Sequence, residues 1–182
     1  MALDFINTVN GRPIFSRDDL AGPQDVYEWA AAAGLLRKVE HVAGLADELS
    51  QFRALVVLRE QLYGVFGPIA HGEPPEPRAL AFLVRRATRA LRNARWNRTA
   101  AGLVPQWQQN SLESIGDRVA DAAVLLLRQP AISRVGFCAG CGWLFLDTSR
   151  AHARRWCSMN ACGVRDKMRR YHRRQANTTG AA

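Results

Sequence analysis

The sequence predicts a mainly α-helical protein in two unequal parts. A helical domain over residues 1–133 carries one small β-hairpin, and a short basic module bearing every cysteine follows it. Three observations predict this. Apolar residues recur at steps of three and four along most of the first 133 residues, the signature of buried helix faces. All four cysteines fall between positions 138 and 162. Charge divides the chain at the same place: residues 1–133 hold 15 Lys and Arg against 14 Asp and Glu, while residues 134–182 hold 10 against 2. The apolar content of 48% over 182 residues is ample for a buried core.

The helices are punctuated clearly. Gly22-Pro23 opens the segment QDVYEWAAAA and Gly34 closes it, since proline suits the first helical position and glycine the position past the end. A longer helix is expected from about Glu40 to Phe66, with Leu45, Leu49, Phe52, Leu55, Leu58, Leu62 and Phe66 on one stripe and Gly67-Pro68 as its stop. HGEPPEP (71–77) reads as a loop, after which Leu80, Leu83, Val84, Ala87 and Leu91 mark a third helix. Between Arg92 and Gln109 the helical period fails. There Trp96 and Trp107 flank the polar NRTAAG, which predicts a β-hairpin. Leu112, Ile115, Val119, Ala123 and Leu126 form a further helical stripe stopped by Pro130. The tail from residue 176 reads as disordered.

The first residues, MALDFINTVNGRP, show neither a basic leader nor an apolar run of signal-peptide length. No stretch approaches the roughly 18 apolar residues that span a bilayer. A cytoplasmic protein without a membrane partner is expected, and in that reducing compartment cysteines serve as ligands or catalysts more readily than as disulfides.

Cys138, Cys141, Cys157 and Cys162 give the pattern C-x2-C-x15-C-x4-C. Two thiolate pairs brought together complete a tetrahedron, and Zn²⁺ held by four cysteines is a closed structural site with no open position for water or substrate. A thioredoxin-like redox pair needs a βαβ context that is absent. A catalytic zinc would leave one cysteine idle, and no His-x-Glu arrangement accompanies the cysteines.

Around this metal, Trp143–Leu146 reads as a strand leaving the knuckle and Arg154–Cys157 as its return strand. Asp147 sits in the turn, where it either pairs with Arg154 or Arg155 or serves the turn alone. From about Ala161 the pattern is helical, with Val164, Met168 and Tyr171 as an apolar stripe over the hairpin. Trp143, Phe145 and Trp156 are expected mainly in the core. Knuckle, hairpin and helix together resemble a treble-clef zinc module, too small to hold itself without metal. Its remaining helix faces carry Arg165, Lys167, Arg169, Arg170, His172, Arg173 and Arg174. Such a helix suits phosphate contacts and, through arginine, bidentate contacts with guanine; an acidic protein is the competing partner.

CGWLFLDTSRAHARRWCSMNACGVRDKMRRYHRR closely resembles the CGNR zinc finger, and the N-terminal LDFINT with its helical continuation resembles the ABATE domain that precedes this finger in bacterial proteins. The resemblance implies a stress-responsive transcription regulator. In it, Cys138, Cys141, Cys157 and Cys162 hold zinc, the basic helix meets double-stranded DNA, and the N-terminal domain senses a small ligand. The tetrapeptide here is Cys162-Gly163-Val164-Arg165, with valine at the family's asparagine. Any cap or base contact made by that asparagine is therefore not carried over, and a packing role for Val164 is expected instead.

Asp4 and Asn7 of LDFINT have two readings. They line a ligand pocket, or Asp4 starts the first helix while Asn7 bonds nearby backbone, which the frequency of such caps favours. Arg98, His41 and His71 read as surface or loop residues. The expected function is a DNA-binding regulator: the helical domain senses a ligand or forms a homodimer, and Arg154, Arg155, Arg165, Lys167, Arg169, Arg170, Arg173 and Arg174 face the nucleic acid. A zinc-stabilised protein- or RNA-interaction module is the alternative. An enzyme is not expected, since residues 1–133 supply no evident nucleophile–base pair, phosphate loop or open metal site.

Overall fold

The computed structural model describes residues 1–12, 17–36, 45–100, 102–107 and 111–179. The elements in order are α1 (Ala2–Ile6), β1 (Val9–Asn10), β2 (Arg17–Asp18), α2 (Pro23–Ala32), α3 (Leu45–Ala70), α4 (Pro77–Arg92), β3 (Arg95–Thr99), β4 (Gly102–Gln106), α5 (Leu112–Arg128), β5 (Val135–Phe137), β6 (Leu144–Leu146) and α6 (Val164–Thr179). A 3₁₀ turn, Pro130–Arg134, leads from α5 into β5, and a π-helical turn, Met159–Gly163, leads into α6. The strands form three separate antiparallel pairs, β1–β2, β3–β4 and β5–β6.

The core lies where α1, α2, α3, α4 and α5 meet. Phe5, Val26, Tyr27, Leu58, Leu62, Phe66, Leu83, Ile115 and Val119 are buried there, as the apolar periods require. The α3 stripe is narrower than its sequence: Leu55, Leu58, Leu62 and Phe66 are buried, whereas Leu49 is exposed. On α4 the buried line is Ala79, Leu83, Ala87 and Ala90, and Val84 faces solvent. The expected start of α3 at Glu40, together with His41, lies outside the described residues.

The expected stop at Gly67-Pro68 is overturned, because α3 runs through Pro68 to Ala70. A proline inside a helix leaves the carbonyl four residues earlier without its donor. Here that carbonyl, on Gly64, accepts the Glu76 backbone N–H at 3.1 Å, so the loss is made good by the chain entering α4. The predicted hairpin forms with Trp96 opposite Pro105 and Arg98 opposite Leu103, and Trp107 anchors its end by donating its indole N–H to the Ala90 carbonyl at 2.9 Å.

The periodicity of α3 gives no sign of its buried arginine. Arg59 of α3 is only 2% exposed, and its guanidinium forms a bidentate pair with Asp18 at 2.7 and 2.6 Å. Its Nε reaches Glu60 at 3.1 Å, and Arg12 closes the network from the other side of Glu60 at 2.6 Å. A charge taken from water needs this degree of pairing. The network fastens the β1–β2 segment to α3.

The boundary near residue 133 is not a boundary in packing. Val135 of β5 and Leu144 of β6 belong to the same apolar cluster as α1, α3 and α5. The helix α6 continues to Thr179, taking up residues 176–179 of the expected disordered tail; residues 180–182 lie outside the described residues.

Candidate metal centre and basic helix

The four cysteines meet at one point from four short segments. Cys138 follows β5, Cys141 ends the knuckle, Cys157 lies in the loop after β6, and Cys162 sits in the π-helical turn. Their sulfurs all lie within 4.8 Å of one another, with Cys141 to Cys157 at 3.6 Å and Cys157 to Cys162 at 3.8 Å. A tetrahedron with Zn–S bonds of about 2.3 Å has sulfur–sulfur edges of about 3.8 Å, so the set fits one structural zinc ion with four thiolates.

Local structure explains each half of the clamp. The knuckle is the turn of the β5–β6 hairpin: the Cys138 N–H donates to the Trp143 carbonyl at 2.8 Å, and the Gly142 N–H donates to the Cys138 carbonyl at 2.9 Å. Gly142 has φ +77°, and a Cβ there would stand 2.1 Å from the Arg12 carbonyl oxygen, so only glycine fits. At Gly140 a Cβ would meet that of Cys162 at 2.9 Å, which is why the two cysteine pairs can close on each other. The unusual five-residue step from Cys157 to Cys162 is spanned by the wide turn. The Ser158 carbonyl accepts from both Cys162 and Gly163, at 3.0 and 3.1 Å, and the Ser158 hydroxyl caps the turn at the Ala161 N–H, 3.2 Å away.

The thiols are graded in acidity. Burial acts to raise Cys138, yet the backbone N–H groups of Cys157, Gly140 and Cys141 hold it down to about 7. Burial pushes Cys141 up, and the neighbouring thiols add to it; burial also raises Cys157, to about 11, against the Cys141 thiol and with those of Cys138 and Cys162. Arg165 then brings positive charge to the cluster: its guanidinium donates to the Cys162 sulfur at 3.1 Å, and that contact raises the arginine's own pKa. A four-thiolate zinc centre carries net negative charge, so this arginine belongs to the metal's outer shell.

The expected return strand at Arg154–Cys157 is overturned. β6 pairs instead with β5, Gly136 opposite Phe145, and residues 154–157 form an irregular loop. Asp147 makes no pair with the arginine side chains. Its carboxylate accepts the backbone N–H groups of Ser149 at 2.8 Å and Arg154 at 3.0 Å, and the Ser149 side chain foremost, with the Arg154 N–H next, holds it down to about 2. The expected cover by the α6 stripe is overturned as well: Val164, Met168 and Tyr171 are 50%, 50% and 54% exposed. The hairpin turns its apolar face onto the helical domain, through Val135 and Leu144, and so leaves α6 nothing to cover. Phe145 is buried and Trp156 half-buried beside the cysteines, but Trp143 is 36% exposed and donates its indole N–H to Asn10 at 2.7 Å.

The expected DNA-facing residues divide into two groups. Arg154 is held internally, donating to the Cys157 carbonyl at 2.6 Å above the Phe145 ring, and Arg165 is on the Cys162 sulfur. Arg155 lies over Trp156, and Arg170 pairs with Asp166 at 3.1 Å. Lys167, Arg169, Arg173 and Arg174 stand exposed along α6.

Asp4 and Asn7 both line a cleft between the N-terminal helices and the zinc module, and they bond differently. Asp4 lies in the first turn of α1, exposed, and pairs with the N-terminal ammonium. Asn7 reaches across the molecule: its amide N–H donates to the Leu144 carbonyl at 2.8 Å, and its carbonyl accepts the Leu144 N–H at 2.9 Å. One side chain thus ties the end of α1 to the strand leaving the zinc knuckle. His71 bonds the Gly67 carbonyl and stacks near Phe137, while Arg98 is exposed. No helix among the described residues is long and apolar enough to cross a membrane.

Two family models match the chain. The ABATE model, described as "Putative stress-induced transcription regulator", matches residues 1–130, and the CGNR zinc finger model matches residues 134–175. No curated protein matches the chain.

Proposed function

From a chain that belongs to the ABATE family and ends in a CGNR zinc finger, we propose a transcription regulator that binds double-stranded DNA through α6. The N-terminal helical part acts as its sensor, for a small ligand or for pairing with a second copy, and the chain is a binder rather than an enzyme. The observation that carries the reading is the state of α6. It is fixed at the turn that leads into it by a zinc ligand, exposed from Lys167 to Gln175, and lined with Lys167, Arg169, Arg173 and Arg174. Cations on a rigid rod are what phosphate contacts need, and Asp166 is the one acid in the helix sequence to set against them. The rest of the chain is nearly balanced, so the surplus of the last 49 residues is not a general property of the surface.

The bonds of Arg154 to the Cys157 carbonyl and of Arg165 to the Cys162 sulfur favour the other basic residues as the phosphate contacts. Arg155, Lys167, Arg169, Arg173 and Arg174 remain, with Arg170 partly neutralised by Asp166. About five phosphate contacts give a slope of log affinity against log salt near roughly −4.5. Titration of the zinc-loaded protein into a labelled duplex at several salt concentrations measures it, with single-stranded RNA and heparin as comparison arms. A flat salt response refutes polyanion binding. Equal or tighter binding to RNA or heparin refutes the assignment to duplex DNA.

A further inference from the structure

Between the N-terminal helices and the zinc module lies a cleft of about 980 Å³. This is at the upper end of small-molecule sites, which run from about 300 to 1,000 Å³. Most of its wall is apolar, with Leu3 from α1, Trp29 from α2, Leu126 from α5, and Trp143 and Leu146 from the module. Its charge is of one sign. Asp4, Asp19, Asp25 and Glu28 line it, and among the described residues no Arg, Lys or His side chain does. The N-terminal ammonium of Met1, also at the wall, is held by Asp4.

Three of the four carboxylates are already engaged. Asp25 accepts the backbone N–H groups of Ala21 and Gly22 at 2.6 and 3.0 Å, Asp19 accepts the Asn10 amide and lies 3.4 Å from Arg17, and Asp4 holds the terminus. Glu28 takes only the Gln24 amide, at 3.0 Å, and has no cationic partner among the described residues. It is exposed, and it neighbours Trp29 in sequence and on the cleft wall. A carboxylate without a cationic partner among the described residues, on the wall of an apolar cleft, suits a positive charge carried on an apolar body.

We propose that this cleft binds an organic cation of the alkyl- or arylammonium class. The protein as a whole carries +9, so non-specific attraction favours anions and a preference for cations must come from the cleft itself. The wall includes Cys157 and Ser158, the zinc ligand and the cap of the turn into α6. The cleft wall is thus shared between the helical part and the turn into the basic helix. Its regulatory meaning rests on the reading of the chain as a ligand-responsive DNA binder; the binding itself does not.

The test is calorimetry on the zinc-loaded full chain without DNA. It uses octyltrimethylammonium, 1-octanol and octyl sulfate, each below its micelle concentration. The expected result is one-to-one binding of the cation about fivefold tighter than octanol, with octyl sulfate weakest, and a loss of about that factor in Glu28→Gln; fivefold is the scale of one partly exposed ion pair. Glu28 is on the surface of α2, so the variant keeps the fold. Octyl sulfate binding as tightly as the cation, no binding of the cation, or an unchanged cation affinity in Glu28→Gln overturns the proposal. A duplex titration run in parallel separates the two readings: cation binding without DNA binding refutes the regulator alone, and the converse refutes the cation site alone.

Discussion

Removing the Asn7 side chain tests how the two parts of the molecule are joined. Asn7→Ala deletes both bonds to Leu144, whose residue is buried at 2% exposure, and leaves one backbone N–H and one C=O without partners. Each such group costs about 1–3 kcal/mol. Because Asn7 itself is half-buried and water gains some access, the sum is about 2–4 kcal/mol. With a urea slope near 2 kcal/mol per molar, the unfolding midpoint of the zinc-loaded protein should fall by about 1–2 M. Zinc release to a colorimetric chelator should also quicken, because the knuckle that β6 leaves carries the Trp143 carbonyl that the Cys138 N–H uses. Asn7→Asp should lie close to Asn7→Ala, since it keeps the acceptor but sets a carboxylate oxygen against the Leu144 carbonyl. Asp4→Ala, three residues away and exposed, should cost less than about 0.5 kcal/mol. A midpoint for Asn7→Ala within about 0.2 M of wild type, with unchanged zinc release, would refute the clamp.

Gly142→Ala places a methyl 2.1 Å from the Arg12 carbonyl in a left-handed conformation, so the β1 segment must leave the knuckle. A loss of about 2–4 kcal/mol in thermal unfolding is expected, and a variant within about 0.5 kcal/mol of wild type would contradict the close approach. Arg165→Met removes the guanidinium from the Cys162 sulfur and should weaken zinc about tenfold in competition with a chelator of known affinity. It should also leave the salt slope of DNA binding nearly unchanged; a slope reduced by about one would return Arg165 to the phosphate-binding set.

The legible parts of this protein were those whose chemistry is local. The C-x2-C and C-x4-C pairs name their metal because four thiols converging on one point is a matter of ligand type and short spacing. Helix periods, Gly22-Pro23 and the Trp96–Trp107 hairpin are likewise set within a few residues. Reading failed where one segment had two possible neighbours. LFLD has the same alternation whether its partner strand lies before it or after it in the chain. Val135–Phe137 became that partner because the knuckle between the two is itself the turn. Val164, Met168 and Tyr171 have helical spacing, but spacing does not say whether anything lies against the face they make.

By itself, then, the sequence determined the main helices and the Trp96–Trp107 hairpin, the zinc ligands and the location of the surplus charge. The tertiary structure alone decided which basic side chain meets the thiol cluster: Arg165 and Arg169 are both exposed, and of the two Arg165 has a cysteine sulfur 3.1 Å away. It also decided where the Asn7 amide of LDFINT bonds. Asn7 bonds a strand 137 residues further on, and no window of sequence holds both partners. A hydrogen bond depends on where two groups lie in space. For groups so far apart along the chain, that is fixed only once the core of α1, α3 and α5 has brought them together.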